Sequence, residues 1–432
     1  MKKFSSLINC IFIFLNLISS DFYGQLNNDS RLLFFEGYKL YDVSLLDLKH
    51  DRWIGDKLKF TMDLQVKTDL LSFFNKTEDL YNSNNFYKND FRIYETSLFF
   101  KKFPFEFVDI TIGRTYYNPG KGFVVSPIDI INSDDLSDPL KMNEKITKGL
   151  LIIETYSKFF NLNLIYSPFF SPMLLPFRYI DYSEYLGGLN VKDSLIVPEN
   201  IIESSEVFLF LMKNLNNLQT SFFYGYSRTR TPLAKSIKIV MSSPFSAMAD
   251  LKMWFPRIHN FGFTFSTNLN DFGIWGDLCG NFVSENSFKI DMSDIGRETV
   301  DTFNFKEKFF SNFLLGIDYT LFSNYYMTFQ YLHGMRGQYG EENINDYFFF
   351  GSKINLLDGK IVFEPLNFAY EVVNWKNIKN EGGVLLNPKI TFNFIDNFSF
   401  GISFYYIKAT EKSYFEKIEN RSCFEFTTKI FF

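Results

Sequence analysis

The segment CFEFTTKIFF, residues 423–432, carries an alternating pattern that decides the fold. Successive side chains of an extended strand point to opposite faces, so one face here is apolar and the other largely polar. The first face carries Phe424, Phe426, Thr428, Ile430 and Phe432, and the second carries Glu425, Thr427, Lys429 and Phe431. Such a strand fits a sheet with lipid on one side and water on the other. The competing interpretation is an edge strand of a soluble β-sandwich.

The composition favours the membrane interpretation. Aromatic residues make up 20% of the chain, with 56 Phe, yet the mean hydropathy is only −0.08. Beyond the N-terminus no run approaches the roughly 20 apolar residues that a transmembrane helix needs. Apolar side chains are spread thinly along the chain instead, which is typical of a transmembrane β-barrel.

The N-terminus has the pattern of an export signal. Lys2 and Lys3 precede the apolar segment LINCIFIFLNLI, residues 7–18, and small residues follow it. These features predict a secretory signal peptide over residues 1–24, cleaved somewhere between 20 and 25. The remainder, 25–432, is predicted to form a single barrel domain, because no linker divides it.

Alternating strands recur in pairs along the mature chain. FLLGIDYTL (313–321) and YYMTFQYLHG (325–334) form a predicted hairpin around Ser323 and Asn324. A second hairpin turns at Asp358 and Gly359, a strong turn dipeptide. Less regular segments at 31–43 and 57–69 are also predicted strands.

The connections alternate in length. Turns at 216–217, 323–324, 358–359 and 396–397 are very short, whereas long connections are predicted at 70–90, 116–147, 168–203, 283–310 and 335–344. Short turns at one end and long loops at the other are typical of outer-membrane barrels. The sequence therefore predicts an all-β fold: a transmembrane antiparallel β-barrel of about 16–18 strands, with short periplasmic turns and long extracellular loops, in the bacterial outer membrane.

Residues 110–172 resemble the porin-like outer-membrane families of double-membraned bacteria, most closely the alginate-export-like and related uncharacterised porin-like families. The matching positions are Gly113-Arg114, Pro127, Asp129, Asn132 and Asp138-Pro139. Gly120-Lys121-Gly122 stands where those families have Trp-Gly. The resemblance implies that the barrel assembly machinery reads the last strand, which makes Phe424, Phe426, Ile430 and Phe432 the candidate assembly signal.

A barrel of about 16 strands is wide enough for an aqueous channel. Small or polar residues occupy the predicted inward positions, as a wet interior requires. The candidate lumen-facing residues are Asp277, Asp318, Gln330 and Asn393, with Thr264 and Ser403. The predicted function is an outer-membrane porin-like channel for passive diffusion of small hydrophilic solutes.

Loop 116–147 is the candidate constriction. Acidic and basic groups opposed across a narrow lumen would create a transverse field that orders polar solutes. The candidate residues are Arg114, Lys121, Asp129, Asp134, Asp135, Asp138 and Lys141. The alternative is a solvated extracellular loop with ordinary charges. A second basic group either lines the pore or faces lipid headgroups, and it comprises Arg228, Arg230, Lys235 and Lys238.

Loop 168–203 leaves two further functions open. Its segment PFFSPMLLPFRYIDYSEY, residues 168–185, is rich in aromatic residues, proline and leucine, which is unusual for an exposed loop. The loop could plug or gate the lumen, or form a vestibule in a barrel transporter for hydrophobic molecules. A third possibility is a surface-exposed adhesin or structural outer-membrane protein.

Other classes of protein are disfavoured. A net charge of −5 is mild and argues against nucleic acid as a partner. The three histidines show no metal-ligand spacing, and no G-x-S-x-G motif is present, so neither a cofactor nor catalysis is expected. The expected partners are outer-membrane lipid, the barrel assembly machinery, small solutes and, in a homo-oligomer, further copies of the chain.

Overall fold

The computed structural model describes residues 22–33, 40–72, 90–136, 138, 140–174, 189–243, 246–410 and 412–432. Strands make up 63% of the structure. Within them, no helix has both the length and the apolar character needed to cross a membrane.

The strands are numbered along the chain. They are β1 (Phe22–Leu33), β2 (Leu40–Ile54), β3 (Leu58–Ser72), β4 (Asp90–Phe100), β5 (Val108–Thr115), β6 (Lys148–Tyr156), β7 (Asn161–Ser167), β8 (Asn190–Ile196), β9 (Glu206–Leu215), β10 (Leu218–Arg228), β11 (Leu233–Ser243), β12 (Ser246–Trp254), β13 (Arg257–Leu269), β14 (Phe272–Val283), β15 (Ser287–Asp291), β16 (Val300–Phe303), β17 (Phe309–Leu321), β18 (Tyr325–His333), β19 (Asp346–Leu356), β20 (Ile361–Glu364), β21 (Phe368–Val372), β22 (Gly382–Leu386), β23 (Lys389–Ile395), β24 (Phe398–Ala409) and β25 (Cys423–Phe431). Short helical turns lie at Ile201–Ser204, Ser293–Ile295, Glu341–Asn343, Trp375–Asn377 and Phe415–Arg421.

Eighteen strand positions close into one antiparallel barrel. Two of these positions each hold two short strands, β20 with β21 and β22 with β23, and β19 and β24 flank them. The predicted all-β barrel of 16–18 strands is confirmed.

The first and last strands complete the cylinder. Strands β1 and β25 pair from Gln25 opposite Phe431 to Leu33 opposite Cys423. The Gly24 N–H donates to the Phe432 carbonyl at 2.7 Å, and the Phe432 N–H donates back at 3.0 Å. Strand β1 begins at Phe22, so the barrel includes three residues that the predicted boundary at 24 assigned to the signal peptide. The rest of the predicted signal peptide lies outside the described residues.

Side chains alternate between the two faces of the barrel wall. On β25, Phe424 and Phe426 are exposed on the outer face, whereas Glu425 is buried on the inner face. Strand β9 alternates in the same way, with Leu209 outside and Phe208 inside. An apolar outer band around a closed barrel is what a lipid bilayer requires of a spanning sheet. The chain is therefore a bacterial outer-membrane β-barrel in architecture.

Connections at the two barrel ends differ in length, as predicted. Turns such as 55–57, 216–217 and 270–271 lie at one end, and long connections such as 116–147 and 284–308 lie at the other. By analogy with outer-membrane barrels, the end with long connections is extracellular.

Three of the long connections contribute a second, five-stranded sheet with the order β16-β15-β11-β12-β8. Strands β11 and β12 form an antiparallel hairpin, while β8 pairs parallel to β12 and β15 parallel to β11. The sheet has its own small core, in which Ile237, Ala249 and Leu251 are buried.

Two sequence predictions were wrong in detail. Segments 168–203 and 283–310 are predicted as loops, yet they contain β8, β15 and β16. These strands are four to seven residues long, and β8 is exposed at nearly every position, so no alternation reveals them. The predicted strand 31–43 is instead the end of β1 and the start of β2, separated by residues 34–39, which lie outside the described residues.

The outer face supplies a direct test of membrane insertion. Leu315 lies outward in the middle of β17 and is 52% exposed, whereas Thr320 lies on the opposite face of the same strand. We expect Leu315→Arg to lower the unfolding free energy in lipid by about 2–4 kcal/mol, because a charge near the bilayer midplane is poorly solvated. Thr320→Arg, the matched control, should change it far less. Urea unfolding in liposomes measures both, and equal effects of the two variants would contradict this assignment of faces.

Candidate functional site

The connection 116–147, here called the inner loop, folds into the barrel rather than away from it. It leaves β5 and crosses to the inner faces of β14 and β18. Asp277 on β14 accepts hydrogen bonds from the Lys121 N–H at 2.9 Å and from the Ser126 hydroxyl at 2.6 Å. Gln330 on β18 accepts from the Phe123 N–H at 2.6 Å and donates to the Val125 carbonyl at 3.0 Å. The segment 121–126 is thereby fixed to the wall opposite the strands that carry the loop.

Two glycines allow this segment to turn tightly. A Cβ on Gly122 would lie 2.3 Å from the Val125 carbonyl oxygen, and one on Gly120 would lie 2.2 Å from the Ser126 Oγ. Any other residue at either position would therefore displace its neighbour. The Gly120 N–H also donates to the Asp129 carboxylate at 2.8 Å. The Gly-Lys-Gly sequence, which departs from the family pattern, thus forms the tip that meets the far wall.

Asn132 ties the two ends of the inner loop together. Its Oδ1 accepts from the Tyr117 N–H at 2.9 Å, and its Nδ2 donates to the carbonyls of Ile146 at 2.9 Å and Thr115 at 3.3 Å. Asn132 is only 2% exposed, so these bonds satisfy an amide that would otherwise be costly to bury.

Apolar side chains of the inner loop pack against both walls of the lumen. Ile128 and Ile131 are fully buried against one wall, and Val125 and Met142 are buried against the other. The first wall contributes Leu150, Ile152, Ile165, Phe208, Phe210 and Phe223. The second contributes Trp275, Leu314, Leu332, Tyr347, Phe349, Ala369, Leu385 and Ile407. Burying each isoleucine stabilises the loop by about 1.5–3 kcal/mol.

These clusters add apolar residues to the inner wall that the sequence did not predict. The candidate lumen-facing residues are small or polar, but much of the inner wall behind the loop is large and apolar. Residues such as Phe208 and Phe210 face inward because the inner loop, not water, covers them.

The acidic residues of the inner loop are engaged in direct ion pairs. Asp134 meets Lys145 at 2.8 Å and Arg336 at 2.6 Å. Asp135 meets Arg92 on β4 at 3.2 Å, and Asp129 lies 3.6 Å from Arg336. The cationic partners of these three aspartates are therefore adjacent to them, and a field between acidic and basic groups opposed across the lumen stays a prediction.

Two further charged residues of the loop, Lys141 and Asp138, also make local contacts. Lys141 pairs with Asp29 on β1 at 2.7 Å, and Asp138 accepts from the Leu140 N–H at 3.2 Å. Burial is the main cause that lowers the pKa of Lys145, to about 8, and the neighbouring Arg336 acts in the same direction.

A second buried ion cluster holds the inner loop from the β9 side. Arg230 meets the Glu206 carboxylate through two bonds, at 2.9 and 3.1 Å, and Lys148 lies 2.5 Å from it. The Arg230 guanidinium also donates to the Ile130 and Ile131 carbonyls of the inner loop. Glu206 was not predicted from the sequence, although a carboxylate in phase with Phe208 and followed by the apolar residues 207–212 was a usable signal.

The other predicted residues lie in separate surroundings. Arg114 lies on the face of β5 opposite that of buried Thr115 and donates to Thr147, so it is not part of the inner-loop charge cluster. The Lys121 ammonium reaches Gln219 on β10 at 3.4 Å. Asp318 shares the inner face of β17 with Leu314, and Asn393 donates to the Gly359 carbonyl near the short-turn end.

The predicted second basic group does not form one cluster. Arg230 is buried beside Glu206, whereas Arg228 donates to the carbonyls of Glu203 and Phe255. Lys235 lies over the Trp254 ring, and Lys238 pairs with Asp294 at 3.3 Å in the five-stranded sheet.

The proposed plug segment lies mostly outside the described residues, which omit 175–188. Its described beginning runs beside the inner loop. The Leu174 N–H donates to the Asp134 carbonyl at 3.0 Å, and the Met173 N–H donates to the Arg230 carbonyl at 3.0 Å. A plugging or gating role for 168–203 stays a prediction.

A recess opens between the inner loop and the extracellular end of β10, β13, β14 and β17. Asp129 and Asp134 of the loop line it on one side, and Asn260, Asn281 and Asn312 line it on the other. Where residues are described, no group of three or more His, Cys, Asp or Glu side chains is arranged to hold a metal ion.

Solved structures similar to this chain include outer-membrane proteins. Acinetobacter baumannii OccAB1 shares 9% identity, with 95% of this chain and 94% of that chain covered and a TM-score of 0.49. For Pseudomonas aeruginosa OccK8 (OprE) the identity is 8%, the coverage 95% and 97%, and the TM-score 0.48. For Salmonella typhi OmpF in complex with daunomycin these values are 9%, 95% and 96%, and 0.41.

These likenesses carry no argument about what this chain binds or transports. No family model matches the chain, and no curated protein matches it. The predicted closeness to the alginate-export-like family therefore has no support from a family match.

The Glu206 cluster yields a stability prediction. Replacing Glu206 with Gln leaves Lys148 and Arg230 buried without a countercharge, so we expect the unfolding free energy to fall by about 3–5 kcal/mol. Glu203→Gln, three residues earlier and exposed, should change it by under about 0.5 kcal/mol. Urea unfolding of the refolded barrel compares the two variants. A Glu206→Gln barrel as stable as Glu203→Gln would show that this cluster does not hold the loop.

Proposed function

We propose that this protein is an outer-membrane channel for passive diffusion of small hydrophilic solutes, with the inner loop as its constriction. The observation that carries the proposal is the attachment of segment 121–126 to Asp277 and Gln330 on the far wall. A loop anchored in this way narrows the passage at a fixed depth. Solutes then cross through the space that the loop leaves open.

The dimensions of the barrel support a channel. Barrels of 16–18 strands leave an aqueous lumen, whereas eight-stranded barrels are filled by their own side chains. With eighteen strand positions, this barrel has an interior wide enough to hold both the inner loop and water.

The lumen on the periplasmic side of the inner loop supports a hydrated path. Inward side chains of β2 and β3 there are charged and partly exposed. Lys59 pairs with Asp51 at 3.0 Å, and their side chains are 29% and 33% exposed. Lys49 is 43% exposed beside Asp47 and Asp63. Charged groups that keep this exposure inside a barrel are solvated by water in the lumen.

The ion pairs of the inner loop define how the constriction would work. Because Asp134 and Asp135 are neutralised by adjacent cations, they hold the loop in shape more than they generate a field across the lumen. Lys121 at the loop tip lacks a carboxylate within salt-bridge distance among the described residues, and it is the group that we expect to influence ion selectivity.

The proposal includes the partners of the barrel. Its apolar outer band fits outer-membrane lipid, and Phe424, Phe426, Ile430 and Phe432 on the last strand remain the proposed signal for the barrel assembly machinery. Assembly into homo-oligomers is also part of the proposal.

A surface-binding role is the second candidate, and the five-stranded sheet favours it. This sheet lies at the end with long connections and exposes Leu195, Val300 and Phe303. A hydrophobic-molecule transporter has less support, because the apolar clusters of the described lumen are covered by the inner loop.

The constriction is tested by releasing its anchor. Asp277→Ala removes the acceptor for Lys121 and Ser126, so we expect a higher single-channel conductance and more open-channel noise in planar bilayers. Asp318→Ala, the control, removes an inward carboxylate of the neighbouring strand β17. This carboxylate makes no described hydrogen bond to the loop, so the variant should leave the open-channel noise unchanged. A wild-type protein that gives no discrete conductance steps would contradict the channel proposal itself. Equal conductance and noise in the two variants would contradict the role of the anchor.

A further inference from the structure

Three asparagines in the recess form a continuous ladder of side-chain hydrogen bonds across adjacent strands. The Asn260 Nδ2 donates to the Asn281 Oδ1 at 2.7 Å, and the Asn281 Nδ2 donates to the Asn312 Oδ1 at 2.6 Å. Ser227 on β10 begins the ladder by donating to the Asn260 Oδ1 at 3.0 Å. We call Ser227, Asn260, Asn281 and Asn312 the amide ladder.

The ladder ends on a donor that has no described acceptor. Asn312 is 7% exposed, and its Nδ2 makes no hydrogen bond to any described residue. This amide lies against Gly334, where a Cβ would approach it to 1.8 Å. A buried donor normally has a hydrogen-bond partner, so its position at the edge of a recess indicates that a partner comes from outside the chain.

The charged side chains around the recess are all engaged by neighbouring groups of the protein. Arg336 and Lys145 pair with Asp129 and Asp134, Arg230 and Lys148 share Glu206, and Arg228 donates to the carbonyls of Glu203 and Phe255. A charged solute would have to compete with these ion pairs, whereas an uncharged solute would not. The recess therefore favours a neutral ligand over an anion or a cation.

The ladder and its surroundings also define the chemistry of that ligand. An amide row presents donors and acceptors side by side, and a hydroxyl group both donates and accepts. Phe310 and Tyr339, whose rings meet edge to face at 5.9 Å, line the recess beside the ladder. Sugars combine hydroxyl edges with apolar C–H faces. The recess is small and open on one side, so it accommodates one edge of such a molecule.

We propose that the amide ladder is an entry subsite for uncharged, hydroxyl-rich solutes of the sugar class, on the extracellular side of the inner loop. This inference rests on the proposed channel function and names its solute class. Asn312 acts as the terminal donor to a solute hydroxyl, and Asn281 orients it.

Liposome swelling with glucose, gluconate and glucosamine tests the subsite, because the three solutes differ in charge but little in size. The wild-type protein should admit glucose fastest. We expect Asn312→Leu, which removes the terminal donor while keeping the branched shape of the side chain, to reduce the preference for glucose about five-fold, as loss of one net hydrogen bond predicts. Asn393→Leu, an inward amide at the short-turn end, is the matched control and should keep the preference.

The outcomes separate this inference from the proposed function. A wild-type protein that passes ions in planar bilayers but shows no preference for glucose would overturn the sugar subsite and leave the channel intact. An unchanged preference in folded Asn312→Leu would also overturn it. If Asn312→Leu does not fold, the test is whether sucrose blocks the ion current of the wild-type protein. Concentration-dependent block from the extracellular side supports the subsite, and absence of block overturns the subsite. A wild-type protein without any conductance overturns the proposed function as well.

Discussion

Closure of the sheet through the β1–β25 ladder is the constraint on which the rest of the structure depends. A backbone in lipid has no water to satisfy its N–H and C=O groups, so an open sheet edge would be costly there. Pairing of the first and last strands removes both edges at once. Once the sheet is closed, strict alternation of side chains separates a face for lipid from a face for the lumen, and every inward residue must find a partner inside the cylinder.

The inner loop provides many of those partners. It covers apolar inner-wall residues such as Phe208 and Tyr347 on two sides of the lumen, and its charges pair with groups on the wall. This arrangement makes the loop part of the barrel core rather than a mobile lid. Displacing it would expose two hydrophobic clusters. It would also break the hydrogen bonds that Arg230, the partner of buried Glu206, makes to the loop carbonyls. In the channel that we propose, the loop is therefore a fixed obstruction, and selectivity arises from the surfaces that it leaves uncovered.

Much of the barrel was predictable, because alternation is a local property of each strand. The pattern in FLLGIDYTL and in CFEFTTKIFF follows directly from lipid on one side and the lumen on the other. The five-stranded sheet escaped prediction because β8 has few buried positions, and pairing between distant loops leaves no periodic trace.

The site was predictable only in outline. The loop 116–147 could be selected for its length and charge, yet its ion pairs involve Arg92 and Arg336, which are distant in the sequence. The amide ladder could not be predicted for the same reason, since Asn260, Asn281 and Asn312 meet only when β13, β14 and β17 adopt their register. Single-sequence patterns do not encode such contacts between strands. They follow from the tertiary structure.

The central claim is that the inner loop is held against both walls of the lumen. Hydrogen–deuterium exchange of the barrel reconstituted in lipid tests it most directly, since exchange reports how often each amide opens to water. The bonded N–H groups of Lys121 and Phe123 should be protected to an extent similar to those of the flanking strands β5 and β6. Exchange of 116–136 as fast as that of an unstructured peptide would contradict a loop held against both walls of the lumen.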